Sequence, residues 1–120
     1  MRDIEHKLQC ACVRWMRLSM PFEAGLLFSV PNGGARDAVT GARLKAEGVM
    51  AGVADLFLSI PNAQYHGLYI EMKTAKGVQS QSQKIFQQRV EAMGYKYSIV
   101  RSFDQFMAEI REYLNMRNIK

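Results

Sequence analysis

LYIEMKTAKGVQSQSQKIFQQRVEAMGYKYSIV, residues 68–100, decides the fold of this chain. Its first seven residues alternate. Leu68, Ile70 and Met72 fall on one side and Tyr69, Glu71 and Lys73 on the other, as strand side chains do with period two. Ser80-x-x-Gln83 is a capping box opening a helix over 81–93, with Phe86, Val90 and Met93 facing the core and Gly94 at its end. YKYSIV (95–100) is the next strand. Strand, helix and strand form a βαβ unit, which crosses over right-handed and sets its two strands parallel.

Working outward, VADLFLSI (53–60) meets the 68–74 strand across a loop holding Pro61, Asn62 and Gly67, which predicts an antiparallel hairpin. LLFSV (26–30) is a short strand stopped by Pro31. Asn32-Gly33-Gly34 is a turn, and a polar helix over 37–47 closes at Gly48. Asp3 caps a first helix in which Ile4, Leu8, Ala11, Trp15 and Leu18 make one stripe, and Pro21 ends it. At the other end, Ser102-x-x-Gln105 opens a last helix with Phe106, Ile110, Tyr113 and Leu114 turned inward. The expectation is one domain over 1–120, an α/β fold with a mixed sheet flanked by helices.

Composition narrows the function. The 120 residues are 48% hydrophobic and 22% charged, enough for one real core. No apolar run approaches the ~20 residues of a membrane span and no signal peptide opens the chain, so the cytosol is the expected location. Cys10 and Cys12, two apart, do not share a helix face and suit neither a zinc pair nor a mutual disulfide. They read as small core or semi-buried residues. The 16 basic residues exceed the 11 acidic ones by a net charge of +5, which favours a polyanionic partner, and they are spread along the chain rather than massed in a tail. There is no P-loop, dinucleotide glycine fingerprint, zinc finger or recognition helix. His6 and His66 stand isolated, and Trp15 reads as packing.

One constellation carries chemistry. Counted from the hairpin loop, residues 55 and 71 come level, so Asp55 can join Glu71 and Lys73 at one end of the sheet. Two converging carboxylates repel each other unless a cation holds them. Oxygen-only ligation with open positions suits Mg²⁺ or Mn²⁺, which lowers the pKa of water and stabilises charge on a phosphoryl oxygen. The lysine then serves to position that water or clamp the phosphate. An E-x-K pair on an open strand face is by itself an ordinary surface pairing, so the surroundings matter.

Those surroundings carry a resemblance. Asp55…Glu71-Met72-Lys73 resembles the D…(D/E)xK signature of the PD-(D/E)xK nucleases, and the chain is similar to their VRR-NUC branch, the virus-type replication-repair nucleases. Four patterns match in order: a first helix with Glu5 and Gln9, VPNGGAR (30–36), GVMAGVADL (48–56) and EMKTAKGVQSQSQ (71–83), the last keeping the spacing of Gly77, Ser80 and Gln83. The proline that often precedes the aspartate is Ala54 here. The resemblance implies Asp55, Glu71, Lys73 and Gln83 as catalytic residues, and Glu5, Asp55, Glu71 and the Met72 carbonyl as ligands of Mg²⁺ or Mn²⁺. Arg36, Lys76 and Lys84, with backbone groups of Asn32, Gly33 and Gly34, are candidates for phosphate contacts. The implied function is a metal-dependent DNA endonuclease acting on branched DNA such as four-way junctions, as a homodimer, in a bacterial or phage-infected cell. The competing reading is a DNA-binding or assembly module that keeps the fold without turnover.

Overall fold

The computed structural model describes residues 2–31 and 38–116. The elements run α1 (Arg2–Ser19), α2 (Pro21–Ala24), β1 (Leu27–Ser29), α3 (Ala38–Ala46), β2 (Leu56–Leu58), β3 (Leu68–Met72), α4 (Gln81–Ala92), β4 (Lys96–Val100) and α5 (Phe103–Asn115). The four strands make one sheet in the order β1-β2-β3-β4. β1 and β2 are antiparallel, as are β2 and β3, while β3 and β4 are parallel across the α4 connection. This is the mixed α/β sheet that the 68–100 stretch predicts.

Alternation along the strands builds two layers. Leu56, Leu58, Leu68, Ile70, Met72 and Val100 join Cys12 and Met16 of α1 and Phe106, Ile110 and Tyr113 of α5 in the buried core. The alternate positions face α4. Tyr69 and Tyr97 reach Phe86 of that helix with ring centroids 5.1 and 6.3 Å apart. Both expected caps form: Ser80 and Gln83 make a reciprocal box at the start of α4, and Ser102 accepts the Gln105 N–H at the start of α5.

Some expectations are corrected. The first helix begins at Arg2, so Asp3 lies inside it. Its buried row is not Ile4-Leu8-Ala11-Trp15-Leu18, since Ile4 and Leu18 are 60% and 75% exposed. Instead Cys12 and Met16 are buried, flanked by partly buried Leu8 and Met20, an i, i+4 row turned away from the expected stripe. Trp15 does pack, edge-on against Phe103 and Phe106. Cys10 is exposed while Cys12 is buried. Met93, expected in the core, is 68% exposed. The short helix α2, begun by Pro21 at its first position, was not foreseen. No described helix is long and apolar enough to cross a membrane.

Candidate active site

The β2–β3 register pairs Leu56 with Ile70, and one further step sets Asp55 level with Glu71 on the face that carries Tyr69. The Met72 N–H donates to Asp55 Oδ2 at 2.7 Å, and the Asp55 carbonyl accepts the Val30 N–H at 2.8 Å. Asp55 is thus fixed from both neighbouring segments. Burial raises its carboxyl above the ordinary range. The Met72 N–H and Lys73 oppose this, whereas the charges of Glu5 and Glu71 add to it.

Glu71 is fully buried, at 0% exposure. Its Oε1 accepts the Tyr97 hydroxyl at 2.5 Å and the Gln79 side-chain amide at 2.9 Å. Its Oε2 accepts no hydrogen bond and faces Lys73 Nζ at 3.4 Å. Burial, then the hydrogen bond to Glu71 and its charge, push the Tyr97 hydroxyl well above the usual phenol range, so it stays protonated and donates. Lys73 Nζ also donates to Gln83 Oε1 at 2.9 Å. That same oxygen accepts the Ser80 N–H at 2.8 Å, so Gln83 caps α4 and orients the lysine at once.

The turn after Lys73 is held from a distance. The Arg101 guanidinium donates to the Thr74 and Gly77 carbonyls at 2.8 and 2.6 Å. A cleft of about 790 Å³ opens beside Asp55, walled by Glu5, Gln9, Arg14 and Arg17 of α1, with Asp55 and Met72 on the sheet side. Ser80 and Gln83 also line it, and Glu71 and Lys73 do not.

Asp55, Glu71, Lys73 and Gln83 are therefore brought together, and Glu5 acts on Asp55 through space. Lys76 and Lys84 are exposed and away from the cleft lining. Asn32, Gly33, Gly34 and Arg36 lie outside the described residues. The sequence reading missed Arg14 and Arg17, although Arg17 continues the four-residue spacing of Glu5, Gln9 and Val13 along one row of α1. It also missed Gln79, Tyr97 and Arg101, which no local pattern marks.

The donors fit a hard divalent cation. Among the described residues no three His, Cys, Asp or Glu side chains gather as a metal cluster. An ion such as Mg²⁺ that keeps several waters needs only one or two carboxylates, however. Glu71 Oε2 accepts no hydrogen bond, and burial first, then the charges of Glu5 and Glu71, raise Asp55; a cation between the two acids would relieve both.

Fold and site together describe an α/β domain of nuclease type. Residues 1–104 match the VRR-NUC domain, and the chain belongs to that family. A solved structure described as a VRR_NUC domain protein shares its fold, with a TM-score of 0.84 over 97% of this chain and 92% of that one at 22% identity. No curated protein matches.

Proposed function

We propose that this chain is a Mg²⁺- or Mn²⁺-dependent endonuclease that hydrolyses phosphodiester bonds in branched DNA, four-way junctions above all. The observation that carries it is Glu71: a fully buried carboxylate with one oxygen saturated and the other unbonded, level with Asp55 and beside Lys73. Burying an acid is costly even beside the Lys73 ammonium, and a cation-binding role accounts for an oxygen left without a hydrogen bond there.

In this reading Asp55, Glu71 and the Met72 carbonyl hold the cation, with Glu5 close by. When bound, it supplies Lewis-acid charge against the phosphoryl oxygens and makes water a stronger nucleophile. Lys73, held by Gln83, places its ammonium where charge grows on the phosphate in the transition state. Arg14 and Arg17 on the cleft wall seat the backbone phosphates. Cutting both strands of a junction needs two such sites, which a C₂ homodimer supplies. Exposed Phe28 on the edge strand β1, with exposed Phe22 in α2 just before it, favours an interface there.

The test is a cleavage panel of duplex, single strand, flap and four-way junction, each with Mg²⁺, Mn²⁺, Ca²⁺ or EDTA. Junction cutting with Mg²⁺ or Mn²⁺ and none in EDTA is expected, together with a solution mass near twice 13.7 kDa. Full activity in EDTA, or a stable monomer that cuts flaps and ignores junctions, overturns the corresponding part.

A further inference from the structure

Glu71 holds an asymmetry that the reaction itself does not explain. Both hydrogen bonds to its carboxylate fall on Oε1, from Tyr97 at 2.5 Å and Gln79 at 2.9 Å. The two oxygens are chemically equivalent, so what these donors fix is the plane of the carboxylate: one oxygen is held at Tyr97 and Gln79, and the other is left pointing toward Lys73. They come from separate elements, Tyr97 from β4 and Gln79 from the loop before α4, so no single shift releases both. Each is itself braced. The Tyr97 ring packs against Phe86 at 6.3 Å. The Gln79 amide also donates to Gln87 Oε1 at 2.8 Å, and Gln87 donates onward to Glu91 at 3.2 Å.

We infer that Tyr97 and Gln79 are positioning residues: they fix the plane of the Glu71 carboxylate so that the oxygen turned away from them is the one offered to the cation. The inference rests on the metal-dependent reading above and deepens it. Outer partners of a ligating carboxylate set its orientation, and losing one weakens metal affinity by about 10–100-fold. Neither Tyr97 nor Gln79 lines the cleft beside Asp55, and the contact each makes with the acidic pair is its bond to Glu71.

The test measures Ca²⁺ and Mn²⁺ binding calorimetrically on the whole chain without DNA, and then the Mg²⁺ concentration for half-maximal cleavage. Tyr97→Phe keeps the ring and removes the donor. Gln79→Leu removes the other from a different element and serves if Tyr97→Phe fails to fold. Tyr95→Phe, a phenol lost from the same ring cluster, is the control. The expected result is roughly 10-fold weaker divalent binding for each of the first two and unchanged binding for Tyr95→Phe, with metal-free melting lowered by the lost donor and cleavage restored by added Mg²⁺. A merely structural role would lower melting and leave the metal midpoint in place. Folded Tyr97→Phe and Gln79→Leu proteins that bind as tightly as the wild type overturn the inference and leave the metal-dependent reading standing. A wild type that binds no divalent ion overturns both.

Discussion

Replacing Gly52 by alanine should damage stability and turnover together, through one contact. Gly52 sits at φ +88°, where a side chain is strained, and a Cβ there would lie 2.5 Å from both the carbonyl carbon and the oxygen of Ser82. Carbon atoms pack at about 3.5–4.0 Å, so Ser82 would have to retreat by about 1 Å. It cannot do so by changing rotamer, because the atoms are backbone in the first turn of α4. Left-handed backbone costs a non-glycine residue about 1–2 kcal/mol. Overpacking adds about 1–3 kcal/mol, which makes about 2–5 kcal/mol in all. For a domain of this size that lowers the melting temperature by on the order of 10–20 °C. The retreat also carries Gln83, which orients Lys73, and misplacing a reacting group by about 1 Å can reduce the rate about 10²-fold. Two controls divide the effect. Gly48, at φ +109° with open space around it, should show the strain alone, and Gly41 in α3, with nothing within 4 Å, should lose nothing. Thermal melting and single-turnover junction cleavage, run below every melting point, read the two quantities. If Gly52→Ala melts and cuts like the wild type, the close approach is not a constraint and the proposed coupling of α4 to Lys73 is wrong.

Asp55→Asn and Glu71→Gln should each abolish cleavage while far-ultraviolet circular dichroism stays native; a folded Asp55→Asn protein that cuts at full rate sinks the site. Lys73→Ala should slow single-turnover cleavage about 10²–10³-fold with DNA affinity little changed, whereas Arg14→Ala and Arg17→Ala should weaken binding and flatten its salt dependence. The reverse pattern would move Lys73 to the cleft rim. Burial pushes the Cys12 thiol up from 9.0 to about 11, so stability present below pH 9 should fall as pH rises toward 11, because the unfolded chain ionises first. A two-unit difference is worth on the order of 2–3 kcal/mol, and urea unfolding of wild type against Cys12→Ala across that range should lose this slope; equal slopes refute it.

What could be read from the sequence follows from how local its causes are. The last helix declared its buried face because Phe106, Ile110 and Tyr113 recur at helical spacing on one side with Leu114 beside them; the three are buried and Leu114 partly so. The first helix misled because it carries apolar residues around most of its circumference. Tertiary contact with α5 and the sheet selected the row through Cys12 and Met16. Asp55 and Glu71 were placed together by simple register counting, which needs only the hairpin. Tyr97 and Arg101 were invisible because their bonds reach across the fold, and Gln79 because the loop that turns it back onto Glu71, eight residues earlier, has no sequence pattern to mark it. Tyr97 meets Glu71 only through the parallel pairing of β3 with β4, and Arg101 grips carbonyls 24 and 27 residues away. For Gln83 the sequence offered two roles, capping or chemistry; one oxygen serves both helix start and lysine.

Fold and chemistry share atoms most closely at Asp55, and two substitutions can separate them. β2 begins at Leu56, and the Asp55 carbonyl just before it is taken by the Val30 N–H; the Met72 N–H donates to the Asp55 side chain instead, at 2.7 Å. On the other side the Lys73 N–H is taken by the Val100 carbonyl at 3.0 Å. The bond that fixes the carboxylate therefore also secures the end of β3. An asparagine at 55 can still accept the Met72 N–H through its amide oxygen, and it sheds a charge that burial and the neighbouring acids disfavour. An alanine loses the acceptor and leaves a backbone N–H unsatisfied, which costs about 1–3 kcal/mol. Without divalent metal, Asp55→Asn should then be at least as stable as the wild type and Asp55→Ala less stable by about that amount, although neither cuts DNA. Chemical denaturation in EDTA measures the gap. Equal stabilities for the two variants would show that the Met72 bond does not hold the strand, and that Asp55 is fixed in place by something other than the contact that positions it here.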